Sequence, residues 1–429
     1  MGRFCSDHPP GEASPLERAA GLLGIVVILA IAWAASTDRK RVQWRPIGIA
    51  LLLQLAIALI VLRTRFGAEF FALVNEGAAS FIRASNVGIE FVFGAWPESV
   101  LGPDGQALRL PYVFAIRVLP IIVFMSSVFA VLQHFGILQR VVEVLALGLR
   151  RTLRTSGAES LAAIAEIFLG MTEAPLMIRP YVPGLTRSEL FCVMTAGLAT
   201  VAGSVLVAYM GMLGPEYAGH LVAASFMAAP AAILIAKIMV PEDGEPESRA
   251  AAHLAIPRTT VNAIDAAASG AVDGVRLALN IGGMLVAFVA IVHVANAALG
   301  WTGALVGVSG LSFERILGLA LAPLAFVLGV PWHDAATVGE MLGVKTVLNE
   351  FIAFQMLADA RAGLDPRSIV IASYALCGVA NFGSLAIQIG GLGGIAPERR
   401  GDVARDALRA LCAGSLASFL TAAVAGLVY

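Results

Sequence analysis

The chain has 429 residues, 58% of them hydrophobic and 14% charged, with a formal net charge of -1 and a mean hydropathy of +0.83. That composition excludes a soluble domain, and the near-neutral balance excludes the basic surface a nucleic-acid binder needs. Cys5, Cys192, Cys377 and Cys412 are scattered without a CxxC or a Cys/His pairing, so they read as small core residues, not as a disulfide framework or a metal site.

Residues 1–18 are polar and read as a loose N-terminal tail. The apolar run from Ala19 to Ala35 ends near Ala32-Trp33-Ala34, which resembles a signal-peptide cleavage site. Three acids precede it (Asp7, Glu12, Glu17) and Arg39, Lys40, Arg41 and Arg45 follow, an order that resists export and favours a retained first span. Spans are predicted over 19–36, 46–63, 112–135, 188–211, 219–240, 272–298, 369–393 and 406–428, with broken hairpins over about 157–183 and 333–357. Phe66 to Phe93 reads as an interfacial, partly amphipathic helix. The expected divisions are the tail 1–18, scaffold spans with the interfacial helix 19–111, a first repeat with hairpin one 112–240, a cytosolic linker 241–267, and a second repeat with hairpin two 268–429.

The first hairpin, LAAIAEIFLGMTEAPLMIRPYVP over 161–183, carries Glu166 and Glu173 where a span should be purely apolar. Gly170 and Pro175 bracket Met171, Thr172 and Glu173, so neither half reaches the about 20 apolar residues a bilayer requires. Ionisable groups at membrane depth cost roughly 2.5 to 3.5 kcal/mol each on insertion scales and usually mark a substrate or ion path. Irregular backbone at that depth survives only beside protein or a water-filled cavity. The feature recurs at Gly339 to Met356, where Asn349 and Glu350 take the place of Thr172 and Glu173.

Arg39 to Arg45, then Arg140, Arg150, Arg151 and Arg154, then Arg399, Arg400 and Arg405 mark cytoplasmic loops, so an even number of crossings puts both termini outside. Each half holds a span, an interfacial helix (near 140–153 and 313–329), a broken hairpin, a glycine-containing span and a final span. Ala196 to Ser204 lines up, with one gap, against Cys377 to Ser384. One unit begins outside and the other inside. Inverted repeats whose discontinuous helices meet near the midplane are a signature of secondary transporters.

Thr172, Glu173, Asn349 and Glu350 supply donors and acceptors suited to a hydroxylated solute, and a helix N-terminus at each tip adds about half a positive charge. Each Glu could instead pair with an intramembrane arginine such as Arg117 or Arg179 merely to hold helices together, and Lys345 lies close enough in sequence to pair with Glu350. Asn381 and Ser384 sit mid-span beside Gly378 and Gly383, where the helix is expected to unwind; helix–helix hydrogen bonding is the alternative. Pro331-Trp332 reads as the start of the second hairpin, with the Trp an interfacial anchor. Gly391 to Gly394 lacks a following GK[ST] and is no phosphate loop, and the six dispersed His residues form no HExxH.

GMTEAPLMIRPYVP, LVAASFMAAP, GVPW, TVLNEF, LCGVANFGS and GGLGGIAPERRGDVAR together resemble the concentrative nucleoside transporters, cation-coupled symporters, from about residue 20 to the C-terminus. The length resembles bacterial members with eight spans. The resemblance implies an all-α inner-membrane protein with two re-entrant hairpins, a homotrimer whose outer spans form a scaffold around a mobile transport domain. It implies nucleoside and a coupling cation as partners besides the lipid bilayer, and no cofactor. By the same resemblance, Met171, Thr172 and Glu173 face the nucleobase with Val205 lining its pocket. Glu350, Asn381 and Ser384 hold the ribose, and Val379 stands where an aromatic often precedes Ala-Asn. The family's sodium site maps onto Glu166, Leu169, Thr200 and Val201. Two departures stand out. Met171 replaces a Gln that hydrogen-bonds a base edge, and Glu166 replaces a neutral amide with a titratable acid.

An ionised Glu166 among apolar helices needs a cation to neutralise it. Sodium would find a hard carboxylate ligand beside the Thr200 hydroxyl and the carbonyls of Leu169 and Val201. A proton would need no oxygen cage, and proton coupling is the favoured expectation. The alternatives are a symporter of another polar solute such as a modified nucleoside or nucleobase, a passive channel, and an intramembrane enzyme using Glu173 and Glu350 as an acid–base pair. The last lacks a recognisable nucleophile or metal ligand set in the sequence.

Overall fold

The computed structural model describes residues 15–95, 99–101, 107–109, 113–246, 260–305, 307–308 and 310–429. The expected tail as far as residue 14, and residues 247–259 of the expected linker, lie outside them. Among the described residues seven helices are long and apolar enough to cross a membrane. They correspond to seven of the eight predicted spans. The remaining one, predicted over 369–393, is divided: α16 (Pro366–Leu376) and α17 (Phe382–Ile395) are separated by residues 377–381.

The chain opens with α1 (Pro15–Ala34) and α2 (Trp44–Arg63), both predominantly apolar. Thr64 turns the chain at once into α3 (Arg65–Phe93), its hydroxyl accepting from Gly67 N at 3.1 Å. A small antiparallel pair not foreseen in the sequence follows, β1 (Ser99–Leu101) with β2 (Ala107–Arg109). The third span is stepped into α4 (Phe114–Arg117) and α5 (Leu119–His134), because Pro120 has no N–H to continue the ladder. Gly136, at φ +70°, turns the chain into the amphipathic α6 (Ile137–Leu153).

Hairpin one comprises α7 (Gly157–Ala165), an irregular turn and the single-turn α8 (Ala174–Met177). A capping box starts α7: Ser156 Oγ accepts from Glu159 N, and Glu159 Oε2 accepts from Ser156 N at 3.0 Å. The same device, Thr186 with Glu189, starts α9 (Arg187–Ala199), which continues after a break as α10 (Gly203–Leu213). α11 (Ala218–Met239) closes the first half. The second half begins with α12 (Ala263–Leu305), then α13 (Phe313–Val327), α14 (Trp332–Val347) and α15 (Glu350–Ala360), with α14 and α15 forming hairpin two. α18 (Arg400–Val428) ends the chain.

The expected span 272–298 proves too short. α12 has 43 residues, roughly 65 Å at 1.5 Å per residue against about 30 Å of hydrocarbon. Alanine-rich sequence around Asp265, Asp273 and Arg276 keeps the helix going where hydropathy alone would end it. Residues 263–267, assigned above to the linker, are therefore helical.

Burial separates core from periphery. The apolar windows of α9–α10, α11 and α18 are 94%, 83% and 83% buried, whereas those of α2 and α12 are 22% and 11% buried. α18 runs through the core against α1, α9, α11 and α16, and α5 lies along α12. Water drives no association inside a bilayer, so these helices close on small residues. Gly270 and Gly274 do this for α12: a methyl at Gly274 would stand 2.7 Å from Val123 Cα. Polar pins tie the helices to one another. Arg187 grips Asp406 through two bonds of 2.8 and 2.7 Å, Arg63 donates to the carbonyls of Val428 and Tyr429, and Gln54 Nε2 donates to Thr421 Oγ1 at 2.9 Å.

The two broken spans cross at their breaks. Val379 N donates to Thr200 O at 3.3 Å, and a methyl on Gly378 would meet Ser418 Oγ and stand 2.8 Å from Ala199 O. Overpacking of this kind costs about 1–3 kcal/mol. Gly378→Ala should therefore lower the thermal midpoint of the detergent-solubilised protein and reduce its folded yield; an unchanged midpoint would mean the crossing is looser than described.

Candidate substrate and ion site

Asn381 caps α17, with its Oδ1 accepting from Ser384 N at 2.8 Å. Its free amide hydrogens point elsewhere: Nδ2 donates to Glu350 Oε2 at 2.8 Å. Glu350 is the first residue of α15, where Asn349 Oδ1 caps Ile352 N at 3.0 Å. The other carboxylate oxygen, Oε1, accepts from Tyr209 OH at 3.1 Å. Tyr209 is itself clamped on α10, stacked on Phe354 at 4.2 Å between ring centroids and edge-on to Phe351 at 5.0 Å. Glu350, Asn381 and Ser384 are all buried. A carboxylate offers about four lone-pair sites, and Tyr209 and Asn381 use two, so capacity remains for hydroxyl donors. Asn349 Nδ2 is a buried donor with no protein partner among the described residues. Fixed acceptors and an open donor are what a diol-bearing solute needs.

The tip of hairpin one meets the same helix from its other end. Thr172 packs against Gly391 of α17, where a methyl would stand 3.3 Å from Thr172 Cγ2. Met171 packs against Gly197 of α9 by the same measure, at 3.1 Å from its Cβ. Thr172 and Glu173 are exposed at the tip. Val205, on the first turn of α10, is buried. Asn381, Ser384, Gln388 and Gly391 follow at spacings of three, four and three, so α17 presents one stripe from Glu350 to the hairpin tip.

Glu166, Leu169, Thr200 and Val201 are all buried, between 1% and 3% exposed. Hairpin one is laced to the break of α9–α10 by Gly203 N, which donates to Phe168 O at 3.1 Å. Thr200 Oγ1 donates to Ala196 O at 2.8 Å, so its lone pairs stay available to a cation. Glu166 Oε1 is buried without a hydrogen-bond partner among the described residues.

Lys345 does not join Glu350. Its Nζ donates to Ala375 O at 2.7 Å and lies 5.8 Å from the centre of the Phe419 ring. Ala375 sits in the last turn of α16, where unpaired carbonyls attract a cation. Sequence reasoning missed Tyr209 and Gln388. Tyr209 leaves no local signal, since its partner Glu350 is 141 positions away. Gln388 carried a readable signal: an amide four residues beyond Ser384 on an otherwise apolar helix.

Broken hairpins packed on broken spans that cross at their breaks are the arrangement of a secondary transporter. Comparison with known proteins gives the family. The description "Na+ dependent nucleoside transporter C-terminus" matches residues 220–426, its N-terminal counterpart 23–96, and "Nucleoside recognition" 115–216. The uncharacterized transporter YutK of Bacillus subtilis is 44% identical over 408 residues, 95% of this chain and 98% of its own. Sodium/nucleoside cotransporter 1 of Mus musculus is 39% identical over 429 residues, covering 96% of this chain and 64% of its own. A structure of CNTnw in an inward-facing substrate-bound state superposes with a TM-score of 0.87 at 42% identity, covering 96% of this chain and 98% of that one. The chain belongs to the concentrative nucleoside transporter family. These relatives are transporters, not enzymes, which removes the acid–base enzyme alternative.

Proposed function

We propose that the chain imports nucleosides across a bacterial inner membrane by cation-coupled symport, through alternating access and without covalent chemistry. The observation that carries this reading is the Glu350 carboxylate, buried and oriented by Tyr209 and Asn381. In this reading Glu350, Asn381 and Ser384 bind the ribose hydroxyls, while Met171, Thr172, Glu173, Val205 and Val379 surround the base. Glu166, Leu169, Thr200 and Val201 receive the coupling ion, and that ion is a proton in preference to sodium, because Glu166 is a titratable acid at a position the family fills with an amide. The two repeats, 112–240 and 268–429, supply one hairpin each, and the scaffold 19–111 remains still. The long, little-buried α12 suits the contact surface of a homotrimer. Met171 favours one second reading, a modified nucleoside or other polar solute, because a thioether cannot read a base edge as an amide does.

A site built around hydroxyl acceptors discriminates strongly against ligands lacking them, because its buried polar groups stay unpaired. Excess uridine and adenosine should suppress uptake of labelled uridine in proteoliposomes, and uracil and adenine should not. Equal suppression by the free bases would overturn the ribose assignment.

The arginine clusters orient the protein with both termini outside. Single cysteines introduced near Gly300 to Gly310, in a variant lacking native cysteines, should react with an impermeant maleimide added to sealed cells. Cysteines in 241–260 and 396–403 should not react until the cells are opened. Labelling of those two loops in sealed cells would reverse the topology.

A further inference from the structure

Lys345 carries a charge into the core of the protein, and no acid touches it. It is 0% exposed on α14 and makes no ion pair among the described residues. Its Nζ donates to Ala375 O at 2.7 Å and stands 5.8 Å from the centre of the Phe419 ring. The buried carboxylate of Glu350 shows the converse arrangement. It accepts from two neutral donors, Tyr209 OH and Asn381 Nδ2, and makes no ion pair among the described residues either. A buried charge of either sign is costly when it stands alone. These two sit on the two arms of one hairpin, Lys345 in the last turn of α14 and Glu350 in the first turn of α15. Each acts on the other through space, and Glu350 is the carboxylate that acts on Lys345.

We propose that Lys345 is a positioning residue for Glu350: its ammonium, held back by Ala375 O and the Phe419 ring, balances the carboxylate across the break of hairpin two without occupying either carboxylate oxygen. This rests on the reading of Glu350 as the acceptor of the ribose hydroxyls. Hydrogen bonds need contact, whereas Coulomb energy falls only as the inverse of distance and stays large where water is excluded. An ammonium touching Glu350 would take lone pairs that the substrate needs, and each binding event would have to displace it. One set back still favours the anion and leaves those lone pairs open. Two groups restrain it. Ala375 O belongs to the last turn of α16, the negative end of that helix, and the face of Phe419 attracts a cation. The other charges on these elements lie apart. Arg367, at the opposite end of α16, donates to the carbonyls of Gly329 and Gly426. On α18 the nearest charge in sequence to Phe419 is Arg409, ten positions before it. Glu340, more than a turn before Lys345, lies against Gly318 of α13, and Asp359, toward the end of α15, accepts from Gln355 Nε2. The Cys377 thiol keeps to Ser225 Oγ at 3.6 Å.

The test compares the wild type with Lys345→Gln and Lys345→Met in uptake of labelled uridine by proteoliposomes, and sets both in a thermal double-mutant cycle with Glu350→Gln in detergent. Glutamine keeps a donor for Ala375 O but removes the charge, so it separates balancing from pinning. Both variants should raise the uridine KM by about tenfold, with the maximal rate little changed. Each single variant of the cycle strands one buried charge, so removing both charges should lower the thermal midpoint by less than the sum of the two single losses. A wild-type KM in Lys345→Gln would overturn the proposal and reduce Lys345 to a pin between α14 and α16. Midpoint losses that simply add would overturn the charge link, whatever the uptake. If Lys345→Met does not accumulate as folded protein, Lys345→Gln and its double variant with Glu350→Gln decide. Midpoints that couple while Glu350→Gln takes up uridine at the wild-type rate would overturn the ribose reading, and the inference with it.

Discussion

Glu350→Gln should lower uridine uptake by on the order of a hundredfold while the protein still folds and inserts. A hydrogen bond to a charged group contributes roughly 1.5–3 kcal/mol, and each 1.4 kcal/mol is about tenfold in affinity. The amide keeps the shape of the side chain but loses the charge, and its NH₂ must face either Asn381 Nδ2 or Tyr209 OH, which now donate to Oε2 and Oε1. Asn381→Ala should be comparably severe, because it removes both that donor and the cap on Ser384 N. Tyr209→Phe should be milder, about tenfold, since the stacking on Phe354 is retained and one neutral donor is lost. Initial rates and KM for labelled uridine, normalised to protein recovered as a symmetric peak in detergent, give the readout. Wild-type rates in Glu350→Gln or Asn381→Ala would remove the ribose role from this cluster.

Glu166→Gln should abolish accumulation driven by an acid-outside gradient, a loss of more than about tenfold, yet leave exchange of internal for external uridine. A permanently neutral side chain imitates the protonated carrier, so it can still cross loaded and empty but can no longer link the crossing to a proton. On the proton reading proposed above, wild-type uptake should rise as the outside pH falls, because that reading has the carrier load with Glu166 protonated. Glu166→Asn exchanges the acid for a neutral amide and, on the reading that this residue receives the coupling ion, should bring sodium dependence with it. Sodium-free choline buffer, with and without acidification outside, separates the cases. Accumulation in Glu166→Gln that still follows the pH gradient would remove this carboxyl from coupling.

Much of this architecture was legible because membrane physics restricts what an apolar chain can do. Glu166, Glu173 and Glu350 advertised themselves as charges where charge is expensive, and the glycines around Asn381 marked the break between α16 and α17. The break between α9 and α10 was less visible. Thr200, Val201 and Ala202 are small or apolar, so the predicted span ran through them; the backbone turns there because Gly203 N and Thr200 O find partners on hairpin one and on the other broken span. Lys345 illustrates the limit of short-range reasoning. Five residues from Glu350 in sequence, it points to the end of α16 instead, a partner 30 positions away. The extent of α12 and the small β pair were missed for a related cause, since helix propensity and strand pairing outside the bilayer leave no mark on hydropathy.

The most direct test of the account is purified protein in proteoliposomes with labelled uridine outside, a known internal volume, and imposed proton or sodium gradients. The account predicts uridine inside rising above the outside concentration when the outside is acidified in sodium-free buffer, and falling back when an ionophore collapses the gradient. Uridine that merely equilibrates, whichever gradient is imposed, would contradict it and describe a passive channel.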